Sequence, residues 1–147
     1  MAVLYADTSA IIRAYLADEP DYRTLNRLFL EGDDLIITSE LTAVEFNSAV
    51  ASAHRAHRLT NPEAVIADFT ADCSDRGAFN LLRITSSSIL PLAKKLVLDH
   101  VLGALDAIHL ATALVEADPL SGADDAAMVT RDQRLATAAK ACGLRVI

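Results

Sequence analysis

Five short apolar runs, at residues 3–6, 35–38, 79–85, 127–130 and 144–147, punctuate a chain whose intervening segments carry apolar residues at three- and four-residue steps. Runs this short and this apolar suit strands buried on both faces, and the spacing between them suits helices. Strand alternating with helix predicts an α/β domain with a mostly parallel central sheet and helices on both faces, because right-handed crossovers place them there. At 147 residues, one domain spanning 1–147 accounts for the chain and needs no disulfide to hold it together.

The helical segments carry their own punctuation. A helix over 9–16 follows the first strand, and Pro20 opens a second in which Leu25, Leu28 and Phe29 recur until Gly32 ends it. Ser39 is placed to cap a long helix through LTAVEFNSAVASAHRAH. Thr60 and Pro62 open another through about Cys73, broken by Gly77, and Ser86 to Ser88 are placed to cap the next. Gly103 interrupts before LDAIHLATALVEA, which reads as helix, and DPLSGADD reads as loop. A last helix over 132–142 ends at Gly143, a position that suits a C-cap.

Composition excludes several classes. No apolar run approaches the roughly 20 residues that span a bilayer, and the N-terminus lacks the basic-then-apolar pattern of a signal peptide, so a cytoplasmic protein is expected. Cys73 and Cys142 are far apart and read as reduced, small apolar residues. The formal net charge of -7 argues at first against nucleic acid. Acids gathered into one pocket change that argument, because a bound divalent cation reverses the local sign and then holds a phosphate.

Ligands of open α/β sheets sit at the carboxyl ends of the strands. Asp7 ends the first apolar run and Asp132 follows the fourth, so both carboxylates are expected at that edge. Glu45 lies six residues beyond Ser39, about 9 Å along a helix that starts at the same edge. Asp106 falls near the start of its helix among Leu102, Leu105, Ile108 and Leu110. Singly, each acid has a local explanation as a helix cap, a dipole partner or half of a salt bridge. Jointly, a shared divalent cation explains why four costly charges sit where they do. Hard carboxylate oxygens without a Cys/His cluster favour Mg2+ or Mn2+ over zinc.

Four ordered stretches, ADTSA, TAVEF, LDAIHLATA and VTRDQRL, resemble the PIN domains of the VapC toxin group across nearly the whole chain. The resemblance implies a Mg2+- or Mn2+-dependent endoribonuclease, the toxin of a type II toxin-antitoxin system, held inactive by a cognate VapB-type antitoxin and acting as a homodimer. It carries the acidic site onto Asp7, Glu45, Asp106 and Asp132, with Asp124 and Asp125 as neighbours competing for the fourth place. Many relatives have a basic residue three positions before the third acid, where this chain has Gly103.

Around the acids, Ser9 and Thr130 carry hydroxyls that suit either orienting a carboxylate or a metal-bound water, or local capping. Arg131 and Arg134 lie close in sequence to Asp132, and Arg55 and Arg58 form a basic cluster with His54 and His57; all four arginines are candidates for RNA phosphates. His109 reads as a hydrogen-bonded packing histidine outside catalysis. Two rival functions fit less of the sequence: a phosphatase with Asp7 as nucleophile lacks the second aspartate two positions on, where Ser9 stands, and a non-catalytic interaction module leaves Glu45 and Asp106 without a role.

Overall fold

Val3–Ala6 is buried at every position and forms β1, the middle strand of a five-stranded sheet ordered β3-β2-β1-β4-β5. The flanking strands are β2 (Leu35–Ser39), β3 (Phe79–Leu82), β4 (Ala126–Val129) and β5 (Arg145–Val146). Every neighbouring pair runs parallel, with Leu4 opposite Ile36 on one side and Ala127 on the other. The computed structural model describes residues 1–121 and 126–147.

Successive strand side chains point to opposite faces, so β1 feeds two separate cores. Leu4 and Ala6 join Ile36, Ala127 and Val129 under α1 (Thr8–Arg13), α2 (Tyr22–Leu30), α3 (Leu41–Arg55) and α4 (Pro62–Asp72), which contribute Ile11, Phe29, Phe46 and Phe69. Val3 and Tyr5 join Ile37 and Met128 under α5 (Ile89–Asp99), α6 (Ala104–Thr112) and α8 (Gln133–Ala141), which contribute Leu96, Leu110 and Leu135. The expected fold class, with helices on both faces, is what the chain adopts.

Local punctuation acts largely as the sequence implies. Ser39 Oγ accepts the Leu41 N–H at 3.1 Å at the start of α3. Asn61, ahead of Pro62, caps α4 by accepting from Ala64 N at 3.1 Å. Gly143 follows α8 at φ 89°, and Leu144 N closes back onto Ala139 O at 3.0 Å, the left-handed helix stop that glycine favours.

Three expectations need correction. The third strand stops at Leu82, because Ile84 N is taken by the Glu40 side chain at 2.8 Å. Ser88 precedes α5 without a side-chain cap; the Ile89 N–H goes to Thr85 O at 2.9 Å. DPLSGADD does not begin as loop: α6 widens into a π-helical turn over Ala113–Ala117 and continues as α7 (Asp118–Ser121). Residues 122–125, with Asp124 and Asp125, lie outside the described residues.

Candidate active site

β1 and β4 end side by side, Ala6 opposite Val129, so the residues that follow them meet. Asp7 leaves β1 with extended backbone and caps α1, its Oδ1 accepting Ala10 N at 3.1 Å. Ser9 Oγ donates to the same carboxylate at 2.8 and 2.9 Å, and Thr130 Oγ1 donates to Oδ2 at 2.8 Å. Only 2% of Asp7 is exposed. Burial pushes its carboxyl above the ordinary range, partly offset by the hydrogen bonds from Thr130, Ser9 and Ala10.

Asp132 leaves β4 through Thr130 and caps α8, accepting Leu135 N at 2.9 Å. Thr130 Oγ1 also accepts the Asp132 N–H at 3.1 Å, while Ser9 Oγ accepts the Arg131 N–H at 2.9 Å. The two hydroxyls therefore tie both strand-end aspartates into one network. Both aspartates cap helices, and the same side chains stand together at one edge of the sheet, so local capping does not separate them.

Glu45 enters from α3. Its neighbour Phe46 is buried and stacks on Phe69 with ring centroids 4.1 Å apart, which fixes the rotation of the helix. Glu45 Oε1 then accepts from Thr8 Oγ1 at 2.8 Å and meets His109 Nε2 at 2.5 Å. Burial works against its charge, but the hydrogen bonds from His109 and Thr8 win and hold the carboxyl below the ordinary range.

Asp106 lies in the first turn of α6, half-buried. Burial raises its carboxyl, and the negative charges of Asp132, Asp7 and Glu45 raise it further. It makes no hydrogen bond to its side chain among the described residues. Like charges converging on an unpartnered carboxylate form a place where a cation is stabilised. Beside it, Thr8, Ser9, Ile12, Glu45, Ser48 and Leu105 line an open groove between α1 and α3.

The donor set of carboxylate oxygens fits a hard divalent ion. The side chains as they stand do not close around one: among the described residues, no three His, Cys, Asp or Glu side chains form a group able to hold a metal. Asp7, Asp132 and Glu45 each give oxygens to hydrogen-bond donors of their own, Asp7 through both oxygens and Asp132 and Glu45 through one each among the described residues.

The arginines divide. Arg131 is committed within the fold, donating to Asp21 Oδ2 at 2.6 Å, Thr130 O at 3.0 Å and Ile147 O at 3.1 Å. Arg58 is paired with Asp18 at 2.7 Å and Glu19 at 2.6 Å. Arg55 is exposed at the far end of α3, about 15 Å along the axis from Glu45. Arg134 is exposed on the first turn of α8, beside Asp132. Gly103 precedes α6 at φ -71°, and a Cβ there meets nothing within 4 Å, so no steric demand explains the missing basic residue.

The model of the PIN domain matches residues 4–141. Ribonuclease VapC45 of Mycobacterium tuberculosis (strain CDC 1551 / Oshkosh) is 32% identical over 146 residues, covering 99% of this chain and 95% of that protein, and Ribonuclease VapC49 of strain H37Rv matches with the same figures. The chain belongs to the PIN-domain family, in its VapC branch. The fold of this PIN domain is also that of VapBC2 from Rickettsia felis, solved bound to a DNA fragment from their promoter, with TM-score 0.63 and 15% identity over 99% of this chain and 97% of that one.

What sequence reasoning left out of the PIN-domain site is the set of neutral groups behind the acids. Tyr5, Thr8, Thr42 and His109 are buried polar residues on otherwise apolar faces. That pattern is the signal that marks them.

Proposed function

We propose that this protein is an endoribonuclease, the toxin of a toxin-antitoxin pair, that cleaves RNA phosphodiester bonds with Mg2+ or Mn2+ held by Asp7, Glu45, Asp106 and Asp132. The observation that carries the reading is Asp106, half-buried, without a hydrogen-bond donor among the described residues, and facing the charges of Asp132, Asp7 and Glu45. The likeness to ribonucleases over nearly the whole of both chains supports the same reaction.

The bound ion supplies a lowered water pKa and charge neutralisation at the phosphate. The chain's own residues do the positioning. Ser9 and Thr130 hold Asp7 and the turn before Asp132, so both carboxylates face the site from fixed backbone. The groove between α1 and α3 brings a phosphate backbone past Glu45, with Arg134 the exposed cation beside Asp132.

A VapB-type antitoxin and a second copy of the chain are the partners of this reading. Leu98 near the end of α5 (86% exposed) and Val101 just after it (78%) are apolar side chains left exposed for such contacts. Among the described residues no helix is long and apolar enough to cross a membrane, and a cytoplasmic toxin is the proposed setting. The phosphatase reading gains nothing: Ser9 occupies the position two residues beyond Asp7 and binds both of its oxygens.

The test is cleavage of total cellular RNA by purified protein in Mg2+ or Mn2+, wild type against Asp106→Asn. The substitution keeps the side chain's shape and removes one ligand charge, so cleavage is lost while the thermal melt remains cooperative. Near-wild-type cleavage by Asp106→Asn overturns the assignment.

A further inference from the structure

Two buried polar side chains have no part in the reaction described above. Tyr5 is fully buried in β1, and its hydroxyl stands 2.7 Å from His109 Nδ1. His109, 1% exposed on α6, turns its other nitrogen onto Glu45 Oε1 at 2.5 Å. Packing alone does not ask for this pair, since a phenol and an imidazole are costly to bury and apolar rings of similar size fill the same space. Their hydrogen bonds instead connect the middle strand, through α6, to one oxygen of an acid on α3.

The proton positions follow from the partners. Glu45 is an acceptor as a carboxylate, so Nε2 carries the hydrogen that it donates, and Nδ1 accepts from the Tyr5 hydroxyl. A phenol carries its proton near neutral pH, so the Tyr5 hydroxyl has a hydrogen to donate to that nitrogen. Thr8 Oγ1 adds a second hydrogen bond to the same Oε1 at 2.8 Å. Glu45 Oε2 accepts none among the described residues.

We propose that Tyr5 and His109 are positioning residues for Glu45, anchoring Oε1 from behind so that Oε2 is presented to the cation of the acidic site. The inference rests on the nuclease reading for its cation. A glutamate has three rotatable side-chain bonds, and a fixed Oε1 confines them before the ion arrives. Groups that orient ligands in this way typically change metal affinity or activity by about 10- to 100-fold when removed.

The experiment measures Mn2+ binding by calorimetry without RNA, and kcat and KM for RNA cleavage, in wild type, Tyr5→Phe, His109→Leu and His109→Gln. Tyr5→Phe removes a single oxygen and keeps the ring; it is expected to weaken Mn2+ binding about tenfold and lower kcat with little change in KM for RNA. His109→Leu does the same or more, and His109→Gln, which keeps an N–H near Nε2, recovers most of the loss. In a Glu45→Ala background Tyr5→Phe has no further effect, because the anchor then has nothing to hold. Wild-type Mn2+ affinity and kcat in Tyr5→Phe overturn the inference, as does a loss that persists undiminished in Glu45→Ala. A wild type that binds no Mn2+ overturns this inference together with the metal reading. One that binds Mn2+ but cleaves no RNA overturns the nuclease reading alone, and the variants' affinities still decide the positioning role.

Discussion

Asp7 is held by its fold as tightly as any cap residue, yet it is also a buried charge among other acids, and the two roles pull stability in opposite directions. The cap hydrogen bond to Ala10 N and the hydroxyls of Ser9 and Thr130 stabilise it; burial disfavours its ionised form. Asp7→Asn keeps an acceptor for Ala10 and removes the charge, with the hydroxyls free to rotate. Asp7→Ala removes the cap as well, at a cost of about 1–2 kcal/mol. In chelator, the asparagine variant is expected to melt at or above wild type and the alanine variant below it. Both are expected to lose much of the rise in melting temperature that Mn2+ gives wild type, since ion binding to the folded state stabilises by mass action. Equal destabilisation by both substitutions shows that the charge itself holds the fold. Acids such as Asp7 and Asp132 were legible in the sequence because Asp7 directly follows an apolar strand and Asp132 comes shortly after another. His109 was legible as a hydrogen-bonded packing histidine, which it is, but its pairing with Tyr5 was not, since that contact joins residues 104 apart and leaves no local spacing to read.

At the scale of elements, the sequence places the strands to within a few residues, because apolar runs and their polar boundaries are local. It does not place the arginines, whose partners come from elsewhere in the fold. Arg131 sits next to Asp132 and reads as a candidate for RNA, but its guanidinium joins the loop before α2, through Asp21, to the carbonyls of Thr130 and of Ile147 beyond β5. Its ion pair is partly exposed, so the charge contributes little; the backbone hydrogen bonds contribute the rest. Arg131→Ala is therefore expected to lower stability by about 1 kcal/mol in urea melts. Arg134→Ala, on the exposed first turn of α8, is expected to leave the melt unchanged and raise KM for RNA. The reverse pattern reassigns the two arginines.

At the scale of the whole molecule, the net charge of -7 and an acidic site oppose a polyanion, while the proposed substrate is one. A protein that binds RNA through a basic face does so in chelator, with an affinity that falls steeply as salt rises because phosphate contacts release counterions. This chain offers the phosphate a cluster of carboxylates in which burial, and after it the neighbouring charges, raise Asp106, and two of its candidate arginines, Arg58 and Arg131, are already paired with acids of the loop before α2. On the proposed reading, a divalent ion would change the sign where the RNA backbone binds. The affinity for a short RNA, read by fluorescence anisotropy with a non-cleavable substrate, is accordingly expected to be weak in chelator at any salt concentration. It is expected to rise by an order of magnitude or more when Mn2+ is added at constant ionic strength. Glu45→Gln and Asp106→Asn should blunt that rise, and Arg134→Ala should weaken binding in both conditions. Tight binding in chelator with a steep salt slope points instead to a basic surface on the partner-free molecule as the RNA site, with the acidic cluster serving only the chemical step.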